Sequence, residues 1–206
     1  MQYGNPEWQE WVLGEAEAIK HIKYACVLVL VQSPIQKMDH DPDMTRVFRR
    51  LTLPTYANAP STQTHDFYIN HLQTYSNGLS EIILGKAIKQ LQLPREEIVV
   101  ITKVYYTVGR DNRIVFQGSD ADGYVNQHGL SRKHIFDSVK SSLMRLGMDY
   151  IDVLLCHRFD YETPIEETMQ ALHDVVKAGY VRYIGMSSCH AYQCILFLFH
   201  NLPFAN

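Results

Sequence analysis

Several things are scarce in this sequence, and each scarcity closes a class of function. Cysteine is rare: Cys26, Cys156, Cys189 and Cys194 are all there are among 206 residues. Their spacing repeats no pair, which argues against a disulfide framework or a zinc ligand set and for reduced thiols in a cytoplasmic protein. Charge of either sign is not in excess; a net charge of −3 gives nucleic acid or an anionic membrane no electrostatic hold. Long apolar runs are missing too. Ala25–Val31 and Cys194–Phe199 are far shorter than the about 20 residues that span a bilayer, so no membrane partner is expected. The first 17 residues are polar and acidic, unlike a secretory leader. No G-x-G-x-x-G occurs, which removes the usual dinucleotide-binding fingerprint. No His, Cys, Asp or Glu spacing suggests a metal.

What is present is alternation. Gly14–Ala25 has helical spacing, with Ala18, Ile19, Ile22 and Ala25 on one side. Ala25–Val31 reads equally as a buried strand or as more of that helix. Gln32–Gln73 contains Pro34, Pro42, Pro54 and Pro60 and no sustained periodicity, so 26–73 is expected to be an irregular, non-homologous insert in a single domain spanning 1–206. Asn77-Gly78 marks a turn, and Ser80–Leu91 carries Ile83, Ala87, Ile88 and Leu91 at helical intervals. Ile98–Val104 is a β-branched run suited to a strand buried on both faces. Ser131–Leu146 is the next helix, stopped by Gly147, and Tyr150–Cys156 the next strand. Thr163-Pro164-Ile165-Glu166 has the form of a capping box opening a helix that stops at Gly179. Val181–Met186 closes the series as another strand. Strands alternating with helices imply an α/β fold with a parallel sheet.

In such folds the chemistry lies just past the carboxyl ends of the strands. Lys103, then His157 with Arg158, then Ser187 with Ser188 occupy those positions on three successive strands. A lysine or histidine at one strand end is ordinarily a solvated or structural residue. Three polar groups at the same end of consecutive strands point instead to a site. His65, His71, His128 and His134 fit no ligand pattern and are expected to be solvated. Tyr105, Tyr106 and Arg158 adjoin the proposed site and either line a carbonyl pocket or, for the tyrosines, simply pack.

The words around these residues, Ile101–Val104, Asp149–Arg158, Val181–Ser188 and Tyr75–Glu81 with Leu84-Gly85 after it, resemble the signatures of the aldo-keto reductases, with the fungal aryl-alcohol-dehydrogenase-like branch nearest in texture. The resemblance runs from Tyr75 to about Tyr192 and returns weakly from Gly4 to Ala25. It implies a (β/α)₈ barrel, here incomplete, that binds NADPH and reduces an aldehyde or ketone, a small-molecule substrate, to an alcohol. It implies Tyr75 as the acid that protonates the carbonyl oxygen, Lys103 as the ammonium that tunes it, His157 as the group orienting the carbonyl, and Ser187 and Ser188 as holders of the nicotinamide carboxamide. Tyr105 and Arg158 would contact substrate. The family has an aspartate five residues before its tyrosine; here that place is Asn70, with no strand legible before it. The resemblance further implies that the first strand and the last third of a barrel are lacking, which would leave sheet edges open to self-association. The competing reading is a non-catalytic remnant that acts as an interaction protein. A metal-dependent barrel hydrolase is disfavoured because no acidic residue stands beside His157 at the strand end.

Overall fold

A computed structural model describes residues 3–7, 12–32, 68–70, 75–110 and 120–193. In chain order these form α1 (Glu15–Gln32), β1 (Tyr68–Asn70), a 3₁₀ turn at Tyr75–Gly78, α2 (Leu79–Gln90), β2 (Val99–Val104), α3 (Arg132–Leu146), β3 (Ile151–Cys156), α4 (Ile165–Lys177) and β4 (Val181–Met186). The four strands make one parallel sheet in the order β1-β2-β3-β4. Spatial order equal to chain order, with a helix between neighbours, is the winding of a barrel; a doubly wound sheet reverses direction at a switch point.

Helices and strands divide the apolar residues by parity. Val100, Val104, Leu154 and Cys156 belong to the core formed with Ile83, Leu84, Ala87, Ile135, Val139, Met169, Leu172 and Val175 of the helices. Thr102 shares that parity, and its hydroxyl donates to Glu81 of α2 at 2.5 Å. Ile101, Lys103, Val153 and Leu155 therefore point to the other face, which is the inside of a closing barrel. Successive helices α2, α3 and α4 pack on one another over the outer face.

Helix ends follow the sequence closely. Ser131 caps α3 by accepting from the His134 N–H at 3.3 Å, and Gly147 stops it at φ 65°, a left-handed conformation that glycine adopts without penalty. Gly85 is required by packing: a Cβ there would run into the Leu146 carbonyl of α3.

Of the two readings of Ala25–Val31 the helical one holds, since nothing between Ala25 and Gln32 interrupts α1 and the first helix-breaking residue after it is Pro34. Two expectations change. Segment 26–73 is accordingly regular at both described ends: it contributes the last turns of α1 and, at Tyr68–Asn70, a strand that pairs in parallel with β2. Three residues are too few to show periodicity, and what makes them a strand is a ladder to residues 99–101, which sequence pattern does not display. The capping box is not formed. Thr163 turns its hydroxyl to Asp160 Oδ2 at 2.8 Å, and α4 begins at Ile165 with Pro164 before it and no side-chain cap.

Candidate active site

Sheet register gathers the residues picked out at the strand ends. Val104 aligns with Cys156, and Cys156 with Met186, so the three strands finish level. The ladder then continues one residue further: the His157 N–H donates to the Val104 carbonyl at 2.9 Å and the Ser187 N–H to the Cys156 carbonyl at 2.8 Å. Lys103 lies one residue inside this rim, His157 and Ser187 one residue beyond it. All three share the inner parity of the sheet, and neighbouring strands are only about 4.8 Å apart. Lys103, His157 and Ser187 are thus brought to one mouth.

The burial of this mouth sets its electrostatics. Lys103 is 8% exposed. Desolvation of its ammonium lowers its pKa from the usual 10.5 to about 8, so it is still mostly protonated at neutral pH. His157 is held down to about 4, first by desolvation and then by the positive charges of Arg158 and Lys103. Its imidazole is therefore neutral at pH 7, with one ring N–H to give. The influence of Lys103 on His157 is itself a sign that the two groups share the inner face. A buried ammonium beside a neutral imidazole can stabilise negative charge developing on an oxygen between them.

Other residues fall at different distances from this centre. Tyr75 is the first residue of the 3₁₀ turn at Tyr75–Gly78, which the Gly109 N–H ties to the loop after β2 through the Asn77 side-chain oxygen; the Tyr75 side chain lies outside the described residues. Asn70 ends β1 opposite Ile101, two positions below Lys103. Ser188 follows Ser187 with φ 53°, and their hydroxyl oxygens are 3.5 Å apart. These two hydroxyls, Ser187 partly buried and Ser188 exposed at the strand end, could donate to and accept from a carboxamide. Arg158 turns back to its neighbour, donating to the His157 carbonyl at 2.8 Å.

Of the two tyrosines after β2, the one nearer the imidazole is Tyr106. Its ring meets that of His157 edge to face, at 5.0 Å and 90°. Tyr105 instead borders a separate cleft of about 440 Å³ with Asp120, His128, Asp160 and Glu162. Burial raises the Tyr105 pKa, with Asp160 adding to it. Chain parity favours Tyr105, but the backbone bends after Val104 and parity then ceases to apply. His134 is also unlike its expectation: it is 6% exposed on the buried side of α3, because it follows the Ser131 cap by three residues and faces Ser138. His128 does reach solvent, 3.1 Å from Asp120. His65 and His71 lie outside the described residues. Among the described residues, no group of three His, Cys, Asp or Glu could hold a metal ion, and no helix is long and apolar enough to cross a membrane.

Comparison with known proteins places this geometry among relatives. The sequence model of the aldo/keto reductase family matches residues 64–194, a stretch that takes in β1 and every described element after it. Versiconal hemiacetal acetate reductase of Aspergillus parasiticus is 39% identical over 197 residues, covering 94% of this chain and 47% of the relative. An aldo-keto reductase of Alternaria alternata is 38% identical over 204 residues, 94% of this chain and 46% of the relative. A protein of Schizosaccharomyces pombe assigned as an aryl-alcohol dehydrogenase is 46% identical over 129 residues, 59% of this chain and 36% of its own length. Among solved structures, one assigned as a 2,5-diketo-D-gluconic acid reductase B superposes with a TM-score of 0.51 at 26% identity, over 65% of this chain and 39% of that one. The chain spans about half the length of the curated relatives that it matches over 94% of its residues.

Proposed function

The chain belongs to the aldo/keto reductase family, and from that premise we propose that it reduces a small aldehyde or ketone to the alcohol with NADPH as hydride donor. The observation that carries the proposal is the pairing at one rim of a desolvated Lys103, pKa about 8, with a neutral His157, pKa about 4. A carbonyl oxygen accepting the His157 ring N–H has its C=O polarised and its direction fixed. As the carbonyl carbon gains two electrons, the C=O π pair moves onto oxygen, and the Tyr75 phenol is the acid that protonates it. A phenol ordinarily ionises near pH 10, and a dry ammonium such as Lys103 stabilises the phenolate left behind, which makes the transfer workable near neutrality. Bound NADPH supplies the hydride. Ser187 and Ser188 are assigned to its carboxamide, with Tyr105 and Arg158 as outer contacts of the substrate pocket.

The test is a titration of the purified protein with NADPH, followed by nicotinamide fluorescence and by turnover of an aromatic aldehyde. Saturable binding below about 1 mM, with turnover abolished in Tyr75→Phe, is the expected result. No binding at millimolar cofactor would overturn it and favour the second reading, a non-catalytic reductase relative that acts by contact with other proteins. What favours that second reading is Asn70, which ends β1 at the place where the resemblance implies an aspartate.

A further inference from the structure

His157 is held in an unusual way for an imidazole that has to aim at a substrate. A working histidine is commonly oriented by a hydrogen bond on the ring nitrogen it does not use. Among the described residues, no such bond reaches either ring nitrogen of His157; its backbone is fixed by the bond to Val104, and its carbonyl by Arg158. Among the described residues, the aromatic ring that meets it is Tyr106, at 5.0 Å between centroids and 90° between planes. Tyr106 is in turn braced edge to face by Tyr105, at 5.0 Å and 84°. The Tyr105 carbonyl is tied to the loop before α3 by the Gly129 N–H at 2.8 Å. A chain of support therefore runs from that loop through two tyrosines to the imidazole. Tyr106 is 41% exposed, so core packing alone does not account for where its ring lies.

Edge-to-face contacts between aromatic rings are directional and contribute beyond the area they bury. A ring locked at right angles to another cannot rotate about its Cβ–Cγ bond without losing that contact. We propose that Tyr106 is the positioning residue of His157, fixing the imidazole plane and covering one side of it so that a ring N–H stays free for the substrate carbonyl. Its functional half rests on the carbonyl-reduction reading; its structural half does not. Among the described residues, the charged groups acting on His157 are Arg158 from its own loop and Lys103 from β2, and both remain when Tyr106 is changed.

Two readouts test this on the full chain. The first is an NMR titration of the His157 ring in wild type, Tyr106→Phe, Tyr106→Leu and Tyr106→Gln. The phenylalanine variant keeps the ring and is expected to leave the titration near pH 4. In the leucine and glutamine variants, water reaches the uncovered side, and the midpoint is expected to rise by about one unit toward 6.5. The second is steady-state reduction of an aldehyde. Tyr106→Phe is expected to retain kcat, while Tyr106→Leu and Tyr106→Gln lose about tenfold or more in kcat with NADPH affinity unchanged. An unmoved His157 midpoint in both non-aromatic variants overturns the proposal, as does an unchanged kcat in an active enzyme. Should the wild type bind no NADPH, the reductase reading fails while the NMR arm still decides whether Tyr106 holds the imidazole.

Discussion

The Asn77 side-chain oxygen accepts a hydrogen bond from the Gly109 N–H at 3.0 Å, joining the turn after β1 to the loop after β2 across 32 residues. That turn is strained. Ser76, Asn77 and Gly78 are left-handed in succession, with φ 47°, 46° and 87°. Only glycine takes such angles without cost, and asparagine is among the few others that tolerate them. The approach of Gly4 to Ser76 is so close that any side chain at position 4 would collide with it. The turn is thus held from both sides directly beside Tyr75. Asn77→Ala loses the bond and adds left-handed strain, and is expected to cost about 2–3 kcal/mol. Asn77→Gly loses the bond but relieves the strain, and should cost about 1 kcal/mol. Urea denaturation should order them wild type, glycine, alanine; alanine equal to glycine would mean that the turn stores no strain.

Below the same turn, the fully buried Glu81 is paired with Arg145 at 2.6 Å and accepts from Thr102 at 2.5 Å, while Arg145 also donates to Ser142 at 3.1 Å. This network pins α2 to α3 and to the outer face of the strand that carries Lys103. Removing one member leaves a buried charge unmatched, which is far costlier than the pair's own net contribution. Arg145→Leu is therefore expected to lose about 3–5 kcal/mol, and the double variant Glu81→Leu with Arg145→Leu to recover most of it. Thermal and urea unfolding of the three proteins measure the cycle. A double variant as unstable as Arg145→Leu alone would contradict the argument.

How much of this was legible depended on whether a feature is local. The strand at Val181–Met186 and the Gly147 stop are written in neighbouring residues and stand where the sequence puts them. Lys103, His157 and Ser187 share a rim because each ends an apolar run, and strand ends are local too. The strand at Tyr68–Asn70 needed its partner in β2 to be seen. Thr163 reads as a cap until Asp160, three residues earlier, claims its hydroxyl. The contact of Tyr106 with His157 joins residues 51 positions apart across a backbone bend, and no period in the sequence carries it.

His134 makes stability depend on pH in a stated direction. Burial, with help from nearby His128 and Lys133 and against Asp137 and Asp160, lowers its pKa from 6.5 to about 4. Between those values the unfolded chain binds the proton and the folded one does not, so folding stability rises as pH rises through that window. Acidifying from pH 6.5 to 4 should remove about 3 kcal/mol through this residue, to order of magnitude. His134→Gln should make the curve shallower over that interval, leaving the contribution of His157, whose pKa is lowered in the same direction. Urea midpoints taken at half-unit steps of pH provide the comparison, and parallel curves for the two proteins would show that His134 is not the source.

The same reasoning fixes the shape of a rate profile. If reduction needs Lys103 as an ammonium and His157 as a neutral donor, kcat/KM should be level from about pH 5 to 7, bounded by ionisations near 4 and 8. Above pH 8 the ammonium is lost, because burial has already brought its pKa down, and the rate should fall about tenfold per pH unit. Loss of a proton from the Tyr75 phenol would produce a limb of the same sign, so the two must be separated. Lys103→Arg keeps a cation throughout the accessible range, since guanidinium does not ionise below about pH 12. If lysine sets the alkaline limb, this variant should be slower at its maximum yet hold its rate at least a unit further into alkali. A limb that stays near pH 8 in the arginine variant assigns the ionisation elsewhere and removes Lys103 from the proton balance.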